Sequence, residues 1–92
     1  MSIVVRFQPA GLTREQHDRV TERLVAGGNW PAPGLQVHVT FGDDGNLLVS
    51  EIWESEDQMR AFGETLMPIL QDEGIQMAGE PQVFAVHDLV RA

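Results

Sequence analysis

The sequence has 92 residues and a formal charge of -8 at pH 7, and its six basic residues are scattered arginines, which excludes attraction to nucleic acid or to an anionic membrane surface. It contains no cysteine, so disulfides, thiolate metal sites and a cysteine nucleophile are ruled out. Residues 1–92 make one domain, and because a chain this short buries only about 60–65% of its unfolded surface, packing against a second copy would add stability.

Ile3, Val5 and Phe7 alternate with Val4, Arg6 and Gln8 until Pro9-Ala10-Gly11 ends the run, which predicts a first strand. Thr13 stands three residues before Gln16, the spacing of a capping box, and the periodic segment behind it stops at Gly27-Gly28. At roughly 100° per residue His17, Val20, Thr21 and Leu24 share a stripe, with Glu15, Asp18, Arg19, Glu22 and Arg23 on the far side, so this helix is amphipathic. Asn29 to Gly34 is a connection stiffened by two prolines. Leu35, Val37, Val39 and Phe41 then alternate with Gln36, His38 and Thr40 in a second strand. The turn Gly42 to Asn46 leads into a third strand, Leu47 to Trp53, antiparallel to the second.

Ser55 and Gln58 repeat the capping spacing, and Met59, Phe62, Leu66, Ile69 and Leu70 share a face of a second helix that runs to about Glu73. Pro68 lacks an amide hydrogen, so a kink or register break is expected there, and Gly74 is a natural stop. Pro81 to Val90 reads as a fourth strand, with Val83, Ala85, His87 and Leu89 on one face and Phe84, Val86, Asp88 and Val90 on the other. The order β-α-β-β-α-β predicts an α+β domain with a four-stranded antiparallel sheet. Val4, Leu47, Leu48, Val49, Ile52, Phe84, Val86 and Val90 leave apolar side chains on both sides of that sheet, so the side away from the helices is expected to be buried in a homodimer. No basic segment precedes a long apolar stretch and no segment approaches the roughly 18 apolar residues of a membrane span, so a cytoplasmic protein without membrane contact is expected.

His17 lies on the apolar stripe of the first helix, where an imidazole titrating near neutrality suits proton transfer. The alternative is a core histidine bonded to a backbone carbonyl. His38 and His87, on the second and fourth strands, are the other candidate catalytic rings, and the sequence leaves open which sheet face each takes: on the helix side, with Thr40 and a third-strand polar residue, Ser50 or Glu51, His38 would give an apolar pocket a polar end, whereas on the other side it would lie in the dimer interface. No two histidines are spaced four apart on a helix or two apart on a strand, and no serine lies in a nucleophile elbow, so neither a metal site nor a Ser-His-Asp triad is expected. Trp53, more than Trp30, is placed to stack on a planar ligand, and Met59, Phe62 and Leu66 form either a pocket wall or plain core. Asp43, Asp44, Glu54, Glu56 and Asp57 read as a solvated turn and a favourably charged helix start.

Four segments carry a resemblance to a known group: G-L-T-R-E-Q-H-D (Gly11 to Asp18), V-H-V (Val37 to Val39), E-I-W-E-S-E-D-Q-M (Glu51 to Met59) and V-F-A-V-H-D (Val83 to Asp88). The chain resembles the dimeric α/β-barrel proteins and, among them, small proteins similar to the antibiotic biosynthesis monooxygenases. The resemblance implies a ferredoxin-like subunit, a dimer whose two sheets face each other as a barrel, and a pocket between helices and sheet. Many such proteins would carry tyrosine where this chain has His17, and this chain has no tyrosine at all. Relatives implied by the resemblance include cofactor-free oxygenases, haem-degrading enzymes and lactone isomerases. The expected function is proton transfer by a pocket histidine on a small apolar or aromatic metabolite, with cofactor-independent oxygenation favoured and no cofactor required. The alternatives are an isomerase or cyclase on the same scaffold and a non-catalytic dimeric binding module.

Overall fold

In a computed structural model that describes residues 1–92, the first alternating run forms β1 (Ile3–Phe7) and the first amphipathic segment forms α1 (Arg14–Ala26). The hairpin follows as β2 (Leu35–Phe41) and β3 (Leu48–Trp53), then α2 (Glu56–Asp72) and β4 (Gln82–Ala85). The strands lie in the order β2-β3-β1-β4, every neighbouring pair antiparallel. This is the ferredoxin-like arrangement, with both helices on one face of the sheet.

Local chemistry sets the helix starts. The Thr13 side chain accepts the Gln16 amide hydrogen while the Gln16 side chain accepts from the Thr13 amide, so two otherwise orphaned donors are satisfied. Asp44, exposed in its turn as the sequence suggests, also reaches across to accept the Arg14 amide hydrogen at 2.9 Å. With the bond from the Leu47 amide to the Leu12 carbonyl, it latches the start of α1 onto the β2–β3 hairpin. Ser55 accepts the Gln58 amide hydrogen at the head of α2. Gly34, at φ +88°, lets the chain pass the Gln58 side chain, whose atoms would lie 2.5 Å from any Cβ placed there.

α2 runs through Pro68 without a register break, the proline lying on its exposed side. One expectation about the second half of the chain is corrected. The fourth strand ends at Ala85 instead of reaching Val90. Its register places Ala85 opposite Ile3, the first residue of β1, so after the bond from the Val86 amide to the Ser2 carbonyl the segment has run past its partner strand. One pairing is absent from the sequence reading: Ala10 and Ala78 donate to the carbonyls of Gln76 and Gln8, lengthening the sheet beyond β1 and bringing Ile75 and Met77 under the helices.

The core between sheet and helices has two parts. Leu12, Val20, Leu24, Leu47, Leu70 and Ile75 form one, and Ile3, Val5, Ala32 and Trp53 the other, with Phe62 packed against both. At the rim Arg19 and Arg23 of α1 converge on Glu73 at the end of α2, at 2.6 and 3.5 Å. The hydrogen bond from Arg19 is the main cause that holds the Glu73 carboxyl below its ordinary range, and the bonds to Glu73 and Asp72 hold the two guanidinium groups above theirs. The sheet face away from the helices is open: Val39 is 45% and Phe84 52% exposed, with Val37 and Phe41 beside them. No helix is long and apolar enough to cross a membrane.

Candidate functional site

Between α1, α2 and the inner face of the sheet lies a cavity of about 80 Å³. Val20 and Leu24 of α1, Phe62, Leu66 and Leu70 of α2, and Phe7 and Val49 of the sheet make most of its wall apolar. Its polar end is His17, Thr21, His38 and Glu51. Thr21 spends its hydroxyl on the His17 carbonyl one turn back, so the two histidines and the carboxylate are the remaining polar side chains there.

Strand register brings these groups together. His38 is the direct cross-strand partner of Glu51, and Thr40 lies two residues beyond His38 on the same face, as Trp53 does beyond Glu51. His38 Nδ1 lies 2.6 Å from Glu51 Oε2, and Trp53 Nε1–H donates to Glu51 Oε1 at 3.1 Å. Those bonds offset the burial of Glu51, which is only 5% exposed. Thr40 Oγ1 lies 3.0 Å from His38 Nε2 and 2.9 Å from His17 Nε2, so both rings meet on one hydroxyl. His17 Nδ1 stands 3.3 Å from the carboxylate of Asp18, which is exposed. The rings are stacked with centroids 5.8 Å apart, and the Trp30 indole meets His38 edge-on at 4.9 Å. No buried side-chain nitrogen or oxygen lacks a hydrogen-bond partner.

A carboxylate only accepts, so Glu51 fixes His38 Nδ1 as a donor. The pair is a carboxylate-oriented imidazole, the arrangement that serves general acid–base chemistry, at the end of an apolar cavity that strengthens its electrostatics. No set of three or more histidine, aspartate or glutamate side chains is arranged to hold a metal ion.

Of the residues singled out in the sequence, His17, His38, Phe62 and Leu66 line the cavity, and Thr40 joins it by bonding both rings. His87 does not: it is exposed, beyond the end of β4. Trp53 is fully buried and Met59 packs against it in the second core cluster, so neither faces the cavity. Trp30, not Trp53, lines the cavity, because the loop after α1 brings its indole edge-on to His38. Glu51 was visible only as one of two polar candidates on the third strand; the His38–Glu51 register that selects it over Ser50 needs the paired strands.

No family profile and no curated protein matches the chain by sequence. Solved structures do match by shape. A candidate antibiotic biosynthesis monooxygenase from Chloroflexus aurantiacus superposes with a TM-score of 0.67 at 14% identity, covering 99% of this chain and 98% of its own. SnoaB, a cofactor-independent oxygenase from Streptomyces nogalater, gives 0.59 at 19% identity, covering 99% and 96%. The de novo designed protein Foldit4 gives 0.60 at 11% identity, covering 95% and 100%, so the shape alone carries no chemistry. What these likenesses establish is architecture: the chain has the ferredoxin-like fold of the antibiotic biosynthesis monooxygenase-like structures.

Proposed function

We propose that this protein is a small-molecule enzyme in which the His38–Glu51 pair and His17 withdraw a proton from an apolar, aromatic metabolite held between helices and sheet. The observation that carries the reading is the hydrogen-bonded line Glu51, His38, Thr40, His17 at the polar end of an otherwise apolar cavity. A hydroxylated aromatic deprotonated there becomes an electron-rich anion that reduces dioxygen itself. A CH₂ position would then leave as C=O, with the second oxygen atom released as water, so no cofactor takes part. A cofactor-independent oxygenase shares the fold, which makes oxygenation the reaction to test first; isomerisation on the same scaffold is the alternative, and oxygen dependence separates the two. A second copy of the chain covers the open sheet face, as its exposed Val37, Val39, Phe41 and Phe84 favour.

Cavity size limits the substrate. About 80 Å³ is less than the roughly 150 Å³ that holds benzene, so a ligand of even one ring has to part α1 from α2 or project through the opening. A specific observation also favours a second reading, a binding module without turnover: each of the four imidazole nitrogens already has a partner. One experiment separates the readings. The protein is titrated with hydroxylated aromatics of one to three rings while melting temperature and oxygen consumption are followed. Oxygen uptake lost in His17→Gln and His38→Gln variants that keep the wild-type circular dichroism supports the enzyme; stabilisation without any product supports the binding module. Turnover unchanged in both variants would dispose of the proton-transfer mechanism.

A further inference from the structure

Glu51, His38, Thr40, His17 and Asp18 make one unbroken line from a carboxylate buried on β3 to an exposed one on α1, with links of 2.6, 3.0, 2.9 and 3.3 Å. Assigning a donor to every link constrains where the hydrogens are. The carboxylates at the two ends only accept, and the Thr40 hydroxyl has a single hydrogen, so it donates to one ring and accepts from the other. Two arrangements satisfy every link, and each holds one proton more than two neutral rings do. In one, His38 carries both ring protons and donates to Glu51 and Thr40, while Thr40 donates to His17 Nε2 and His17 Nδ1–H donates to Asp18. In the other, Thr40 donates to His38 Nε2 and accepts from His17 Nε2–H, and His17 carries both ring protons.

We propose that the Thr40 hydroxyl is a proton bridge through which His38 and His17 share one proton. In the step between the two arrangements, the N–H bond of His38 Nε2 breaks as its proton joins the Thr40 oxygen. The Thr40 O–H bond breaks as that hydrogen joins His17 Nε2. One N–H bond is lost and one gained, and the positive charge passes from His38 beside the buried Glu51 to His17 beside the exposed Asp18. Glu51 is the only carboxylate or guanidinium in the cavity wall, to which α2 contributes Phe62, Leu66 and Leu70 and the loop after α1 contributes Trp30, so the fixed charges that pull on the shared proton are Glu51 at the His38 end and the exposed Asp18 at the His17 end. Thr40 is thus a positioning residue that gives the proposed acid–base pair a path for its proton. The bridge is tested without substrate, so it and the proposed reaction stand or fall separately.

The test follows the ring nitrogens of His17 and His38 by ¹⁵N NMR over a pH titration, in wild type, Thr40→Val and Thr40→Ser, each with and without Asp18→Asn. Asp18 is exposed on α1, so its replacement leaves the fold intact. With the hydroxyl present, in wild type and Thr40→Ser, removing the Asp18 charge is expected to move the titrations of both rings, because the shared proton shifts towards His38. In Thr40→Val the effect should be confined to His17. Through-space attraction is the same in the valine and serine variants, so only the hydroxyl distinguishes them. Transmission to His38 that survives in Thr40→Val would overturn the bridge, as would its absence in wild type. If Thr40→Val fails to fold, Thr40→Ala provides the same comparison.

Discussion

Replacing Glu51 by leucine removes the acceptor of two donors at once, Trp53 Nε1–H and His38 Nδ1–H. A buried donor left without a partner costs about 1–3 kcal/mol. Trp53 is fully buried and incurs the upper part of that range, whereas His38, partly open to water, incurs the lower part. The loss is then about 3–4 kcal/mol, of which the leucine side chain restores about 1 through its added apolar burial. Unfolding entropy near 2.1 cal/mol/K per residue gives about 0.19 kcal/mol/K for 92 residues, so a net loss of about 2–3 kcal/mol lowers Tm by about 10–15 °C. Glu51→Gln differs in kind. Its carbonyl still accepts from Trp53, and its NH₂ donates to His38 Nδ1, which turns the ring into the other tautomer; the cost is about 1 kcal/mol, or about 5 °C. Calorimetric melts at one protein concentration, with ¹⁵N NMR of His38 to read the tautomer, check both. Equal melting of the leucine and glutamine variants would refute the reasoning, because the two donors would then not depend on that acceptor.

On the open sheet face, Val39→Arg or Phe84→Asp is expected to convert a dimer into a monomer in light scattering while far-ultraviolet circular dichroism stays unchanged; a wild type that is itself monomeric would refute the proposed pairing. Glu73→Gln is expected to lower Tm at neutral pH by unfastening α2 from Arg19 and Arg23. Because the folded state holds the Glu73 carboxyl below its unfolded value, its contribution is present above the unfolded value and fades as pH falls through the folded one. The melts of variant and wild type should therefore converge in acid, and a gap that persisted there would contradict the ion-pair account.

The elements were legible in the sequence where period and capping agree: Thr13 with Gln16, the Val20 and Leu24 stripe, and the alternation of β2 all mark local physics. What stayed hidden depends on register. The end of β4 is set by where it meets Ile3, a distant pairing, so His87 could be placed on a strand from sequence although its register carries it past the sheet. The same limit exchanged the tryptophans. Trp53 sits at a strand end in the sequence but at the centre of the core, and the conformation of the loop after α1, which period does not fix, decides that Trp30 covers His38. His17 was readable because a helical stripe points its residues in one direction, whereas the partnership of His38 with Glu51 needed the β2–β3 pairing.

The latch of Asp44 on the start of α1 closes a circuit. From His17 the chain runs along α1, back through β2 to Thr40, around the hairpin turn, and returns through the Arg14 amide to the first turn of α1. Two groups 23 positions apart in sequence are thereby gauged against each other by the length of the six-residue connection between β2 and β3, Gly42 to Leu47. Lengthening that turn by a residue would slide the first turn of α1 relative to β2 and stretch the contact between His17 and Thr40, while Glu51 and His38, fixed by their own ladder, stayed in place. The exposed hairpin is thus a tuning point for the rings, set at the surface and outside the cavity wall.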